Sequence, residues 1–246
     1  MNEETKRGMT KVYFKKFPTW ALGAILVGLI ACSAGGGGIA FGLLLLAAGG
    51  AAIYFSMGGK PSDQQMDEWL DEDLKALGRK ALSKTGTDES ECVSESVNVF
   101  GPRFWDIGRA EVKFKKGGDN VLRYSPVEVS VISFTQNQLV AYKCVLDRFT
   151  GNALNEETEE YFYKDVVSVS TKTESRNVDI ASLGGSLQLK TAECFTLTTS
   201  GGTSLSVFLR DQALIEKMGG GELPTTRAEK AMQSVRKMLR EKKAQP

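Results

Sequence analysis

The side chain most used for proton transfer, nucleophile activation and metal binding is missing: the chain contains no histidine. That removes Ser-His-Asp and Cys-His nucleophile systems, the HExxH zinc site and histidine phosphorelay together. Four cysteines remain, Cys32, Cys92, Cys144 and Cys194, spaced far apart and forming no CxxC pair. Cys144 and Cys194 each sit in a strand-like run and read as buried, reduced thiols rather than metal ligands. Glu156, Glu157, Glu159 and Glu160 bring carboxylates close enough for acid–base work. They fall in an expected loop with no nucleophile motif beside them, so they read as a solvated hairpin. Gly219–Gly220–Gly221 is a spacer, since no GxxxxGK[ST] phosphate loop occurs anywhere. Together these readings argue against an enzyme, a cofactor or a metal centre.

Two basic groups are the remaining candidates. Lys113, Lys115 and Lys116, followed by Gly117–Gly118 and Arg123, cluster donors around a turn. Such donors suit phosphate oxygens of a lipid headgroup, although lysines at a glycine-rich tip also serve solubility. Arg236, Lys237, Arg240, Lys242 and Lys243 form a second cluster, readable as a contact to anionic lipid or as a solvated helix face. The net charge is only +1, too little basic field for a general nucleic-acid binder.

These groups must be positioned by elements of two kinds. Residues 20–56 contain no Asp, Glu, Lys, Arg, Asn or Gln. A bilayer core about 30 Å thick takes roughly 20 helical residues to cross, and Gly35 to Gly38 break the run near its middle. We therefore expect transmembrane helices over 17–34 and 39–57, joined by a glycine turn. Gly38 and Gly42 form a GxxxG pair and Gly49 and Gly50 extend it. Small residues let helices approach closely in lipid, within one chain or between copies in a homo-oligomer. Lys6, Arg7, Lys11, Lys15 and Lys16 precede the first span, which places a basic N-terminus (residues 1–16) in the cytoplasm. Two crossings (residues 17–57) return the chain to the same side, giving a multi-pass protein of the plasma or inner membrane with its soluble part cytoplasmic. A competing expectation comes from Leu29-Ile30-Ala31-Cys32, which has the form of a lipoprotein cleavage site with Cys32 lipidated.

Beyond the apolar run, residues 58–91 read as a juxtamembrane helix and linker, with Met66, Trp69, Leu70, Leu74, Leu77 and Ala81 on one face. That face is expected to pack on the soluble domain or to recruit a partner. Residues 92–246 change to a period of two. Strands are expected at 93–100, 109–114, 127–135, 138–146, 159–163, 166–173, 187–190, 193–199 and 204–210. A final amphipathic helix spans 226–242, with Ala228, Ala231, Met232, Val235 and Leu239 aligned.

Antiparallel strands followed by one C-terminal helix resemble the layout of a pleckstrin-homology-like domain. The nearest local likeness is Leu139-Val140-Ala141-Tyr142 with Tyr161 to Val169, similar to a hairpin and Tyr-x-Asp-Val-x-x-Val strand entry in bacterial and GRAM-type members. Phe195-Thr196-Leu197, residues 204–209 and Arg236 to Arg240 fit the same ending. The resemblance implies a binding platform for a lipid headgroup or a protein, and places Lys113, Lys115, Lys116 and Arg123 where such domains collect phosphates. The expected class is a membrane-anchored α+β protein, a helical hairpin followed by a mainly antiparallel β domain closed by a helix. The expected function is a non-enzymatic adaptor or scaffold for an unidentified protein partner or anionic lipid. The alternative is a glycine-rich oligomeric channel, holin-like or transport component regulated by its soluble domain.

Overall fold

A computed structural model describes residues 1–223 and 226–243. Ala228, Ala231 and Lys243, expected on the last helix, have side chains outside the described residues. The chain divides into two compact units, Met1–Ser62 and Asp63–Pro246.

The first unit is helical. Asn2 caps α1 (Glu3–Tyr13), its Oδ1 accepting from the Thr5 amide at 2.8 Å. This helix occupies most of the basic N-terminus of residues 1–16. Pro18, which can start but not continue a helix, precedes α2 (Thr19–Ser33). Gly35 and Gly36, both at positive φ where a side chain would be strained, turn the chain into α3 (Gly37–Met57). The expected glycine turn is present, but the first span shortens at both ends. With 15 residues, α2 is about 22 Å long. Only Gly37–Ser56 is long and apolar enough by itself to cross a membrane among the described residues.

The second unit opens with α4 (Asp63–Thr85). It is followed by β1 (Val97–Pro102), β2 (Lys113–Lys116), β3 (Leu122–Ser125), β4 (Val127–Phe134) and β5 (Gln138–Leu146). Next come β6 (Ala153–Phe162), β7 (Val166–Ile180), β8 (Gly185–Thr199), β9 (Ser204–Arg210), α5 (Gln212–Lys217) and α6 (Thr226–Lys243). All named strand pairs are antiparallel: a four-stranded sheet β1-β4-β5-β6, a hairpin β2-β3, and a three-stranded sheet β7-β8-β9. The class is thus α+β, with helices first, antiparallel sheets next and a helix last.

β4 is buried along its whole length and sends alternate residues into two cores. Val127, Val129 and Val131 join Tyr142, Cys144 and Leu146 of β5 in one core, with Leu74, Leu77 and Ala81 of α4. Ile132 and Phe134 join Leu139 and Ala141 in the other, with Phe195, Leu197, Val207 and Val235 and Leu239 of α6. The apolar face of α4 is therefore spent on the sheet and is not available to recruit a partner. The sheets approach closely at Gly101, where any Cβ would fall onto the Phe208 carbonyl oxygen. Beside it the buried carboxylate of Glu128 accepts from the Phe208 amide at 3.0 Å and pairs with Arg103 and Lys143, each at 3.3 Å.

Several elements differ from expectation. The strand expected at 109–114 is shifted to β2, its partner β3 was not foreseen, and β8 runs unbroken where two strands were expected. The acidic run lies in β6, not in a loop.

Candidate functional site

The β2–β3 hairpin brings the candidate basic residues together, then uses one of them structurally. Lys115 stands directly across from Arg123 in the antiparallel register. The Arg123 side chain is only 3% exposed, and its guanidinium fork is held from two sides. Asp67 of α4 receives Nε at 2.9 Å and Nη2 at 2.7 Å. Asp119 of the hairpin tip receives Nη1 at 3.0 Å and Nη2 at 2.7 Å. Asp63 lies 3.9 Å from Nη1 and also accepts from the Gly118 amide at 2.8 Å. Hydrogen bonding from Arg123 holds the Asp119 carboxyl at about 2, against an ordinary 3.8. Arg123 thus clamps α4 to the hairpin, its donors engaged by Asp67 and Asp119. Lys113 pairs with Glu111 at 2.8 Å and the Lys116 ammonium reaches the Gly219 carbonyl at 3.5 Å. The three lysines share the tip with Asp63, Asp67 and Asp119, whose charge opposes a bound phosphate.

Three of the four glycines expected at helix packing lie against the neighbouring helix. A Cβ on Gly42 would stand 2.5 Å from both the Gly28 carbonyl oxygen and Cys32 Sγ. On Gly49 it would meet Ala21 O at 2.9 Å, and on Gly38 Ala31 O at 2.7 Å. Gly50 is exposed with nothing within 4 Å of such an atom, so it plays no part in this packing. The partner missed in the sequence is Gly28, which with Ala21 repeats at the same seven-residue spacing as Gly42 and Gly49. The large apolar side chains point the other way: Leu26, Ile30, Phe41 and Leu44 are exposed, Leu44 by 69%. Trp20, Tyr54 and Phe55 are exposed near the open end of the hairpin, where the Lys60 ammonium donates to the Lys15 carbonyl at 3.1 Å. This arrangement inverts that of a water-soluble helix pair.

A third site was not foreseen. The end strand β7 and the side of α6 enclose an open groove of about 780 Å³, lined by residues 166–169 of the strand and Gln233, Arg236, Leu239 and Arg240 of the helix. Arg236 leans over the strand and donates to the Val169 carbonyl from Nε at 3.3 Å and Nη2 at 3.1 Å. No protein-family model, curated protein or solved structure matches the chain. The reading of these sites accordingly rests on their own geometry.

The cysteines do not converge into a reactive site. Cys144 and Cys194 are buried and unpaired in β5 and β8, and burial pushes the Cys144 thiol up to about 11. Tyr142 donates to Glu156 at 2.8 Å, and Lys80 of α4 pairs with the same carboxylate at 2.9 Å. Glu156 is thereby tied to the core as a strut, while Glu157 and Glu160 stay exposed on β6.

Proposed function

We propose that the protein is a non-enzymatic membrane-anchored adaptor, in which the helical hairpin holds a pleckstrin-homology-like module at the cytoplasmic face of the plasma or inner membrane. The observation that carries the anchor is the inside-out build of α2 and α3. In water, exposing this many large apolar side chains around a glycine seam forfeits burial worth about 1.5–3 kcal/mol per side chain. In lipid the cost disappears, and close backbone approach through small residues becomes the natural way for helices to associate. The exposed aromatic side chains near the lysine-bearing open end match the headgroup level of a bilayer. The short α2 reaches across when Lys15 and Lys16 extend to the headgroups and the bilayer thins locally.

The pleckstrin-homology-like reading draws support from the four- and three-stranded antiparallel sheets closed by α6. The occupied Arg123 favours a protein partner over a headgroup at the β2–β3 tip. Spending Gly28, Gly38, Gly42 and Gly49 within one chain favours an anchor over an oligomeric channel. The test is alkaline carbonate extraction of membranes, paired with protease added to intact cells. The protein should stay with the pellet and the second unit should be protected. Release into the supernatant, or digestion of the second unit from outside, overturns the proposal.

A further inference from the structure

Each sheet of the second unit has one end that its neighbour covers and one that it does not. β1 and β9, the ends of the two sheets, pack against each other. The opposite ends are β6 and β7. An exposed strand edge is a template for another strand, and proteins usually guard it with charge. β6 is guarded: it carries Glu156, Glu157, Glu159 and Glu160 and no basic residue. β7 carries no charged side chain over Val167–Thr171, and Val167 there is 60% exposed. Its charge comes instead from α6, whose Arg236 and Arg240 line the groove beside it. Arg236 already donates to an edge carbonyl, that of Val169, so this edge accepts a donor from outside its own sheet.

We propose that β6 of one copy of this chain adds as a further strand to the β7 edge of a second copy, its carboxylates meeting Arg236 and Arg240. The charges select this pairing over its rivals. β6 against β6 would set glutamate against glutamate. β7 against β7 would bring two basic α6 helices together. Only the mixed pairing brings opposite signs together, the glutamates of β6 beside Arg236 and Arg240 of α6. Main-chain hydrogen bonds supply the rest of the attraction, as in other strand additions. The strand given and the groove filled are different surfaces, so a joined pair keeps one of each. Such a contact is head-to-tail and continues into a row or closes into a ring. Confinement in one bilayer would strengthen it by raising the effective concentration. The inference does not depend on the anchor, and holds equally for the chain in a detergent micelle.

The experiment measures the protein mass of the full-length chain in detergent micelles by light scattering, over a range of concentration and salt. Two charge-reversed variants are compared, Arg236→Glu/Arg240→Glu and Glu157→Lys/Glu160→Lys. Wild type should rise above the mass of one chain with concentration, and lose about tenfold in association when salt is raised from about 0.05 to 0.5 M. Each variant alone should remain a single chain. An equal mixture should associate again, because the reversed groove accepts the reversed strand. Unchanged thermal melting of each variant separates lost pairing from lost folding, and the neutral substitutions Arg240→Gln and Glu157→Gln should weaken association in the same direction. Wild type remaining a single chain throughout overturns the proposal. So do variants that assemble like wild type, which would move the contact elsewhere, and well-folded variants that fail to restore each other.

Discussion

Replacing Arg123 by Met tests whether the basic residue at the hairpin tip is a clamp or a ligand. The methionine preserves most of the apolar stem but removes a guanidinium that is 3% exposed. Asp67 and Asp119 lose two hydrogen bonds each, and Asp63 loses a cation at 3.9 Å. For Asp119, the drop from 3.8 to about 2 corresponds to roughly 2.5 kcal/mol at 1.36 kcal/mol per unit. Its side chain is 44% exposed, so solvent screening reduces that to about 1 kcal/mol. The second fork, on an Asp67 that is 47% exposed, the loss of the buried guanidinium and the repulsion left among three carboxylates bring the total to about 3–5 kcal/mol, the range for breaking a buried pair from one side. For a unit of this size that lowers the melting temperature by about 6–20 °C. The assay is thermal unfolding of the full chain in detergent, followed by near-ultraviolet circular dichroism. A companion variant, Arg123→Met with Asp67→Asn and Asp119→Asn, should recover part of the loss. The sign with pH is fixed by the lowered Asp119: its contribution is present above 3.8 and vanishes as pH falls through about 2. A loss under about 1 kcal/mol, or no recovery in the triple variant, refutes the clamp.

Three further outcomes follow from the same geometry. Gly42→Ile should pry α2 from α3 and lower the detergent melting temperature of the hairpin, whereas Gly50→Ile, facing open space, should leave it unchanged. Glu128→Gln, which leaves Arg103 and Lys143 without their shared carboxylate, should destabilise the second unit by about 2–4 kcal/mol in a urea titration. Iodoacetamide at pH 8 should modify Cys92 while Cys144 and Cys194 resist until the protein is denatured. Burial, with Glu89 and Glu91, raises the Cys92 thiol, so it reacts more slowly than a free cysteine and Glu89→Gln/Glu91→Gln should quicken it.

Much of the architecture was legible because hydrophobic period and turn chemistry agreed. Val127, Val129 and Val131 announce one face of β4, and the change of period near residue 93 separates helices from sheets. The glycine turn was readable from Gly35 and Gly36 alone. β3 was not, since Leu122-Arg123-Tyr124-Ser125 is four residues long and places an arginine where an apolar residue signals burial. β6 was hidden for a related reason: four glutamates in ten residues look like a loop, yet on an edge strand both faces remain wet. The role of Arg123 depends on Asp63 and Asp67, more than fifty residues away, and no local pattern carries that information. The groove beside β7 is likewise a product of topology: Arg236 and Arg240 stand out as part of a basic cluster, but no local pattern sets them beside residues 166–169.

The bend between α2 and α3 consists of Ala34, Gly35 and Gly36, with no charged side chain. Gly38 and Ile39 donate back to the Gly35 and Gly36 carbonyls, at 3.1 and 3.3 Å. The leading point of the hairpin is therefore electrically neutral and partly satisfied in its own peptide groups. On the proposed membrane reading, entry into a bilayer requires no hydrophilic loop to be hauled through the hydrocarbon, and the two helices would pass in together as one folded wedge.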